Sequence, residues 1–115
     1  MVILVARSIR ITSITKGETH MYARYFRFKA NPDRRSEVEA LADHVFGFMK
    51  SQQGFVSVHF IISANEDEYG SFSLWESRDD AEAAGESISS EIGGRLQDIA
   101  PEAPGSIVYE VYKPG

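Results

Sequence analysis

Cysteine is missing from this chain. Its absence excludes disulfides, thiolate metal sites, iron–sulfur clusters and cysteine nucleophiles together, and it fits a reducing, cytoplasmic setting. Long apolar runs are missing too. The stretch from Val2 to Ala6 is too short for a secretory core, and the charges follow it instead of preceding it. It is also far too short to cross a bilayer, so neither a targeting segment nor a membrane partner is expected. No P-loop, dinucleotide fingerprint or nucleophile elbow occurs. The 3 histidines lie far apart, none beside a recognisable set of carboxylate ligands, so no metal site and no cofactor is expected.

Basic charge is scarce as well. The net charge is −5, with 12 lysines and arginines against 17 acidic residues. Within residues 1–20, Arg7, Arg10 and Lys16 against Glu18 give +2, which leaves −7 for the remainder. A body that acidic is a poor match for a phosphate backbone, and nucleic-acid binding is disfavoured.

What remains describes an ordinary folded domain. A length of 115 residues gives one domain, and 43% apolar with 25% charged residues argues against disorder. A chain of this size buries roughly two thirds of its unfolded surface and needs no covalent staple.

Residues 8–15 alternate Ile9 and Ile11 with Arg10 and Thr12, the period of a half-buried strand. Lys16-Gly17-Glu18 breaks that pattern, and an aromatic-rich strand opens at Met21. Residues 1–20 are therefore read as an N-terminal extension, either an added strand or a loosely held arm, ahead of a domain over 21–115. Asn31-Pro32 starts a helix, with Pro32 suited to its first position and Asn31 to its cap. Val38, Leu41, Ala42, Val45, Phe48 and Met49 then recur at helical spacing up to Lys50. Gln53-Gly54 closes that unit. Phe55 to Ile62 and Tyr69 to Trp75 read as a hairpin around the polar turn at 65–68. Ser77 caps a second helix, with Asp80 three residues on. Its apolar residues run Ala81, Ala84, Ile88, Ile92, Leu96 and Ile99. Gly85, Gly93 and Gly94 each weaken it by about 1 kcal/mol against alanine, so a bend or fraying near Gly93 is expected. Ser106 to Tyr112 forms a last strand. The order from Met21 is β-α-β-β-α-β, an α+β, ferredoxin-like chain with one antiparallel sheet and both helices on one face.

The other face of such a sheet is normally wet, and its strands alternate apolar with polar residues. These do not. The strand at 55–62 offers Phe55 and Ile61 on one side, and Val56, Val58, Phe60 and Ile62 on the other. The next sets Tyr69 and Trp75 against Phe72 and Leu74, and the last sets Tyr109 and Val111 against Val108 and Tyr112. Left open, that surface exceeds the apolar patch a monomer usually tolerates. At about 25 cal/mol per Å² its burial against a twin outweighs much of the association cost. A two-fold homodimer is the simplest closure. The competing arrangement covers the face with residues 1–15.

The strand Met21-Tyr22-Ala23-Arg24, the Gln53-Gly54-Phe55 lead-in, and Phe72-Ser73-Leu74-Trp75-Glu76-Ser77 before the acidic Asp79-Asp80 helix start occur in this order. With them the chain resembles the antibiotic biosynthesis monooxygenase-like domains of the dimeric α+β barrel superfamily, over about residues 21–113. The resemblance implies two sheets back to back and a pocket between each sheet and its helices. It also implies a function drawn from a mixed group: cofactor-independent oxygenases of polycyclic phenols, quinol oxygenases, haem-degrading enzymes and domains without known activity. Fold alone does not choose among these. Haem-degrading relatives take an iron ligand from a histidine of the second helix and an asparagine from the first strand. Residues 77–100 contain no histidine and residues 22–29 no asparagine, so haem chemistry is not expected.

Several residues are candidates for a site. The resemblance puts a tryptophan at the end of this strand in the pocket wall, which makes Trp75 a substrate-binding candidate; a lone tryptophan there also serves as plain core. His59, in mid-strand, is the candidate catalytic base, since imidazole titrates near working pH; the competing role is a core or interface histidine. His44 sits one turn before Phe48, and both are candidates for the pocket rim, although a surface position suits His44 equally. Tyr22 and Arg24 share a strand face with Phe26. Arg24 can clamp an anionic or oxygenated ligand or pair with an acidic neighbour. Two classes of function follow: an aromatic or quinone-like small molecule oxygenated without a cofactor, or a non-catalytic dimeric binding or stress-response module.

Overall fold

The computed structural model describes residues 20–114. The expected strand or arm over residues 1–20 lies, apart from His20, outside them. Four strands and two helices follow in the order β1 (Tyr22–Lys29), α1 (Arg35–Lys50), β2 (Phe55–Ile62), β3 (Glu68–Trp75), α2 (Arg78–Ile99) and β4 (Gly105–Glu110). The strands form one antiparallel sheet in the order β2-β3-β1-β4. This is the α+β, ferredoxin-like arrangement.

Local chemistry sets the element boundaries. The Asn31 side chain accepts from the Asp33 amide at 3.1 Å and caps a short 3₁₀ turn, Pro32–Arg34, that leads into α1. Proline fits there because its missing amide hydrogen would have no intrahelical partner. Ser77 caps α2 in the same way, its hydroxyl accepting from the Asp80 amide at 3.0 Å. Between α1 and β2 the chain reverses through Gly54 at φ +82°, where a Cβ would stand 2.1 Å from an Asp80 carboxylate oxygen. Only glycine meets both demands.

Val38, Leu41, Val45 and Met49 of α1 are buried, as are Ala81, Ala84, Gly85, Ile88, Ile92, Leu96 and Ile99 of α2. These stripes close over Phe28, Tyr69 and Trp75 in one core. Helix α2 runs unbroken to Ile99 instead of bending near Gly93. Ile88, Ile92, Leu96 and Ile99 are all buried along that stretch, and their packing outweighs the glycine penalty of about 1 kcal/mol each.

The strand faces differ from simple alternation in one place. The β2–β3 register slips between Phe55 and Ser57, so that Phe55 opposes Trp75 while His59 opposes Phe72. This bulge turns Phe55 toward the helices, where its ring meets Trp75 edge-on at 5.6 Å. His59 and Ile61 are left on the far side, and the face expected to hold Phe55, His59 and Ile61 together is split. The far side of the sheet is apolar and open, with Phe72 41%, Ile107 52% and Tyr109 47% exposed. Among the described residues no helix is long and apolar enough to cross a membrane.

Candidate functional site between sheet and helices

The helix-facing side of β1 carries Tyr22, Arg24, Phe26 and Phe28, set opposite Trp75, Ser73, Ser71 and Tyr69 of β3. Three of the four β1 residues are aromatic. The fourth is an arginine only 7% exposed. Its guanidinium stands 5.5 Å above the Phe26 ring, an attractive cation–π contact. Helix α2 crosses directly over it at Gly85, where a Cβ would come within 2.7 Å of Arg24 Nε. Glycine at 85 is thus what allows the helix to pass over the guanidinium.

No carboxylate meets Arg24 among the described residues. Arg27, Arg34, Arg35 and Arg78 all pair with carboxylates on the surface. Of the two roles open to Arg24, pairing with an acidic neighbour does not occur there. Burial accordingly pushes the Arg24 guanidinium below its ordinary pKa. Guanidinium is nevertheless so strong a base that it keeps its proton.

Two spaces open on either side of this residue. The larger, about 420 Å³, lies between β1, the second half of α2 and the loop 101–104. The smaller, about 120 Å³, lies under α1 against Val38, Leu41 and Val45, with Tyr69 and Phe60 of the sheet. Arg24, Phe26, Ile88 and Ile92 form walls of both. The larger space falls in the size range of small-molecule sites, which are mostly apolar with a few placed polar groups. Its charged lining consists of Arg24 and the exposed Glu102. Gly93 also borders it, with nothing within 4 Å of where a Cβ would stand.

The other candidate residues are dispersed. Trp75 is 0% exposed and borders neither space. Its Nε1 donates to Ser73 Oγ at 2.9 Å, and that hydroxyl in turn donates to the Arg24 carbonyl at 3.4 Å. Tyr22 and Phe48 are half-buried and pack against the core. His44 lies on the surface, where its Nε2 meets Glu91 Oε2 at 2.9 Å and ties α1 to α2. His59 is exposed on the far side of the sheet, away from both spaces. Among the described residues no three His, Cys, Asp or Glu side chains converge as metal ligands.

Sequence reasoning named Arg24 but missed Gly85, Gly93, Ile88 and Ile92. The two isoleucines read as ordinary core. Gly85 had a readable signal: it falls on the buried stripe between Ala84 and Ile88, and a glycine on such a stripe marks a close approach.

The family model for antibiotic biosynthesis monooxygenases matches residues 21–88. No curated protein sequence matches. Among solved structures, a candidate antibiotic biosynthesis monooxygenase from Nitrosomonas europaea superposes with a TM-score of 0.72 at 16% identity, covering 84% of this chain and 94% of its own. A cofactor-independent oxygenase from Streptomyces nogalater gives 0.69 at 14% identity, covering 83% and 96%. A Streptomyces coelicolor monooxygenase in complex with nanaomycin D gives 0.68 at 16% identity, covering 86% and 93%. Identities this low speak for the shared fold.

Proposed function

This chain belongs to the antibiotic biosynthesis monooxygenase family, and from that premise we propose that it binds a hydroxylated aromatic or quinone-like small molecule in the space between its sheet and α2, and oxygenates it with dioxygen and no cofactor. The observation that carries this reading is the apolar space of about 420 Å³ bordered by a buried arginine without a carboxylate partner among the described residues. The nanaomycin complex and the cofactor-independent oxygenase lend it support by family likeness.

In such chemistry the ionised substrate supplies the electrons, and the protein supplies a dry, shaped pocket and an outlet for the proton. Arg24 is the proposed polar anchor and Phe26 the stacking surface. Trp75 shapes the wall from behind through Ser73, and Tyr22 and Phe48 support it by packing. His44 and His59 are less suited to a direct part, since neither borders the space.

The second element of the proposal is a homodimer closed through the open sheet face, with His59 and Phe72 in the contact. Exposed Phe72, Ile107 and Tyr109 favour it.

A non-catalytic binding module is the competing reading, favoured by the lack of a histidine in the lining. Incubation with a naphthoquinol under air and under nitrogen separates the two. Oxygenation predicts oxygen uptake and a quinone product that the anaerobic sample lacks and that Arg24→Met diminishes at least tenfold. Binding without any oxygen-dependent product above the protein-free rate would reject the oxygenase and leave the module.

A further inference from the structure

We infer that the ligand of this cleft is an acidic phenol or enol bound as its anion, with the ionised oxygen against Arg24 and the released proton passing to solvent. The inference rests on the proposed small-molecule site and goes further by fixing the charge of its occupant.

Arg24 is 7% exposed, and no described side chain takes its charge. Taking a guanidinium out of water is costly unless a counter-charge accompanies it. Gly85 above and Phe26 beside the guanidinium hold it in place. Ser71 and Ser73 on β3 are neutral, and α2 contributes no charged residue to either lining. Glu39 of α1 and Glu102 of the loop border the two spaces, and both are exposed. An arginine held this way is a counter-ion awaiting an anion. A quinone carbonyl would satisfy its hydrogen bonds and leave the charge uncompensated, whereas a phenolate satisfies both.

The same arrangement accounts for the lining having no histidine. A cation within about 4–6 Å of an acid lowers that acid's pKa by about 1–3. Arg24 thereby does for a phenol what a general base would otherwise do: the O–H bond breaks, its electron pair stays on oxygen, and water carries the proton away. The class of substrate that follows is a hydroxylated polycycle whose own pKa lies within about 3 of neutrality.

The test uses the full chain and 1,2-dihydroxyanthraquinone, whose phenol and phenolate forms differ in colour, with unsubstituted anthraquinone as the control ligand. The expected result is a phenolate spectrum for the bound dye at a pH where the free dye is mostly phenol, with an apparent pKa lower by about 1 or more. Arg24→Met is expected to bind the dye as the phenol, and Arg24→Lys to keep part of the shift. A bound dye whose pKa is unchanged in the wild-type protein, or a shift that survives in Arg24→Met, overturns the inference and leaves the binding site standing. Failure of both the dye and anthraquinone to bind overturns the site itself and this inference with it.

Discussion

Ser73 accepts the indole hydrogen of Trp75 at 2.9 Å from two residues back along β3, and its own hydroxyl points at the carbonyl of Arg24 across the sheet. Both residues are 0% exposed. The bond matters because an indole N–H left unsatisfied in such a place loses its water without replacement. Ser73→Ala should therefore destabilise the protein by about 1–3 kcal/mol, read from the midpoint of a urea titration. A midpoint within error of the wild type would mean that the indole finds another acceptor.

Removing the Arg24 charge should act in the opposite direction. Replacing a buried, uncompensated cation with an apolar side chain of similar length relieves a desolvation cost, so Arg24→Met should gain about 1 kcal/mol or more. For a domain of this size that raises Tm by roughly 4–8 °C. Calorimetry showing a lower Tm would mean that Arg24 already has a compensating partner.

Gly93 offers a way to close the larger space without disturbing the core. Leucine is a better helix former than glycine, and nothing lies within 4 Å of the Cβ it would add. Gly93→Leu should leave Tm unchanged or raise it, while weakening the binding of 1,2-dihydroxyanthraquinone at least tenfold. Unaltered dye affinity would place the ligand elsewhere.

The open sheet face makes a prediction about mass. The wild-type protein should sediment at twice 12.8 kDa, and Phe72→Lys, which sets a charge in the middle of that face, should halve it. A wild-type particle of single-chain mass would remove the homodimer from the proposal.

Tyr69 predicts the behaviour at alkaline pH. Burial, and after it the nearby Glu66 carboxylate, raise its phenol above the ordinary tyrosine pKa, while its hydroxyl donates to the Glu66 carbonyl at 2.6 Å. The folded state therefore holds this proton more tightly than the unfolded one. The stabilisation is complete below the unfolded tyrosine value and is lost as pH climbs from there through the folded value. Tyr69→Phe should flatten that alkaline decline, as measured by urea titrations at rising pH. An unchanged slope would assign the decline to other groups.

The sequence made much of this architecture legible, for identifiable reasons. Asn31, Pro32 and Ser77 mark helix starts through local bonds that depend on a few neighbouring residues. The apolar stripes of both helices follow from periodicity alone. The face of His59 was not legible, because the slip between Phe55 and Ser57 inverts every later side chain of β2 and leaves no local mark in composition. The continuity of α2 was misjudged for a related reason: glycine propensity is a local quantity, whereas the burial of Ile92, Leu96 and Ile99 is tertiary. The cleft was only half visible. Arg24 could be named from its strand, but its lack of a carboxylate partner could be known only once every described acidic side chain had been located.

The strand β2 lies at the rim of the sheet, and among the described residues no strand pairs with its outer side. Its eight residues, FVSVHFII, contain no lysine, arginine, acid or proline. Rim strands are commonly guarded by such residues, because unpaired backbone amides and carbonyls recruit further chains. A lone protomer of this protein thus exposes a sticky template, so fibril growth seeded at β2 is the hazard attached to its dissociation. Cold storage at high dilution would favour that route, and shielding at this rim matters as much to the lifetime of the protein as any contact in its interior.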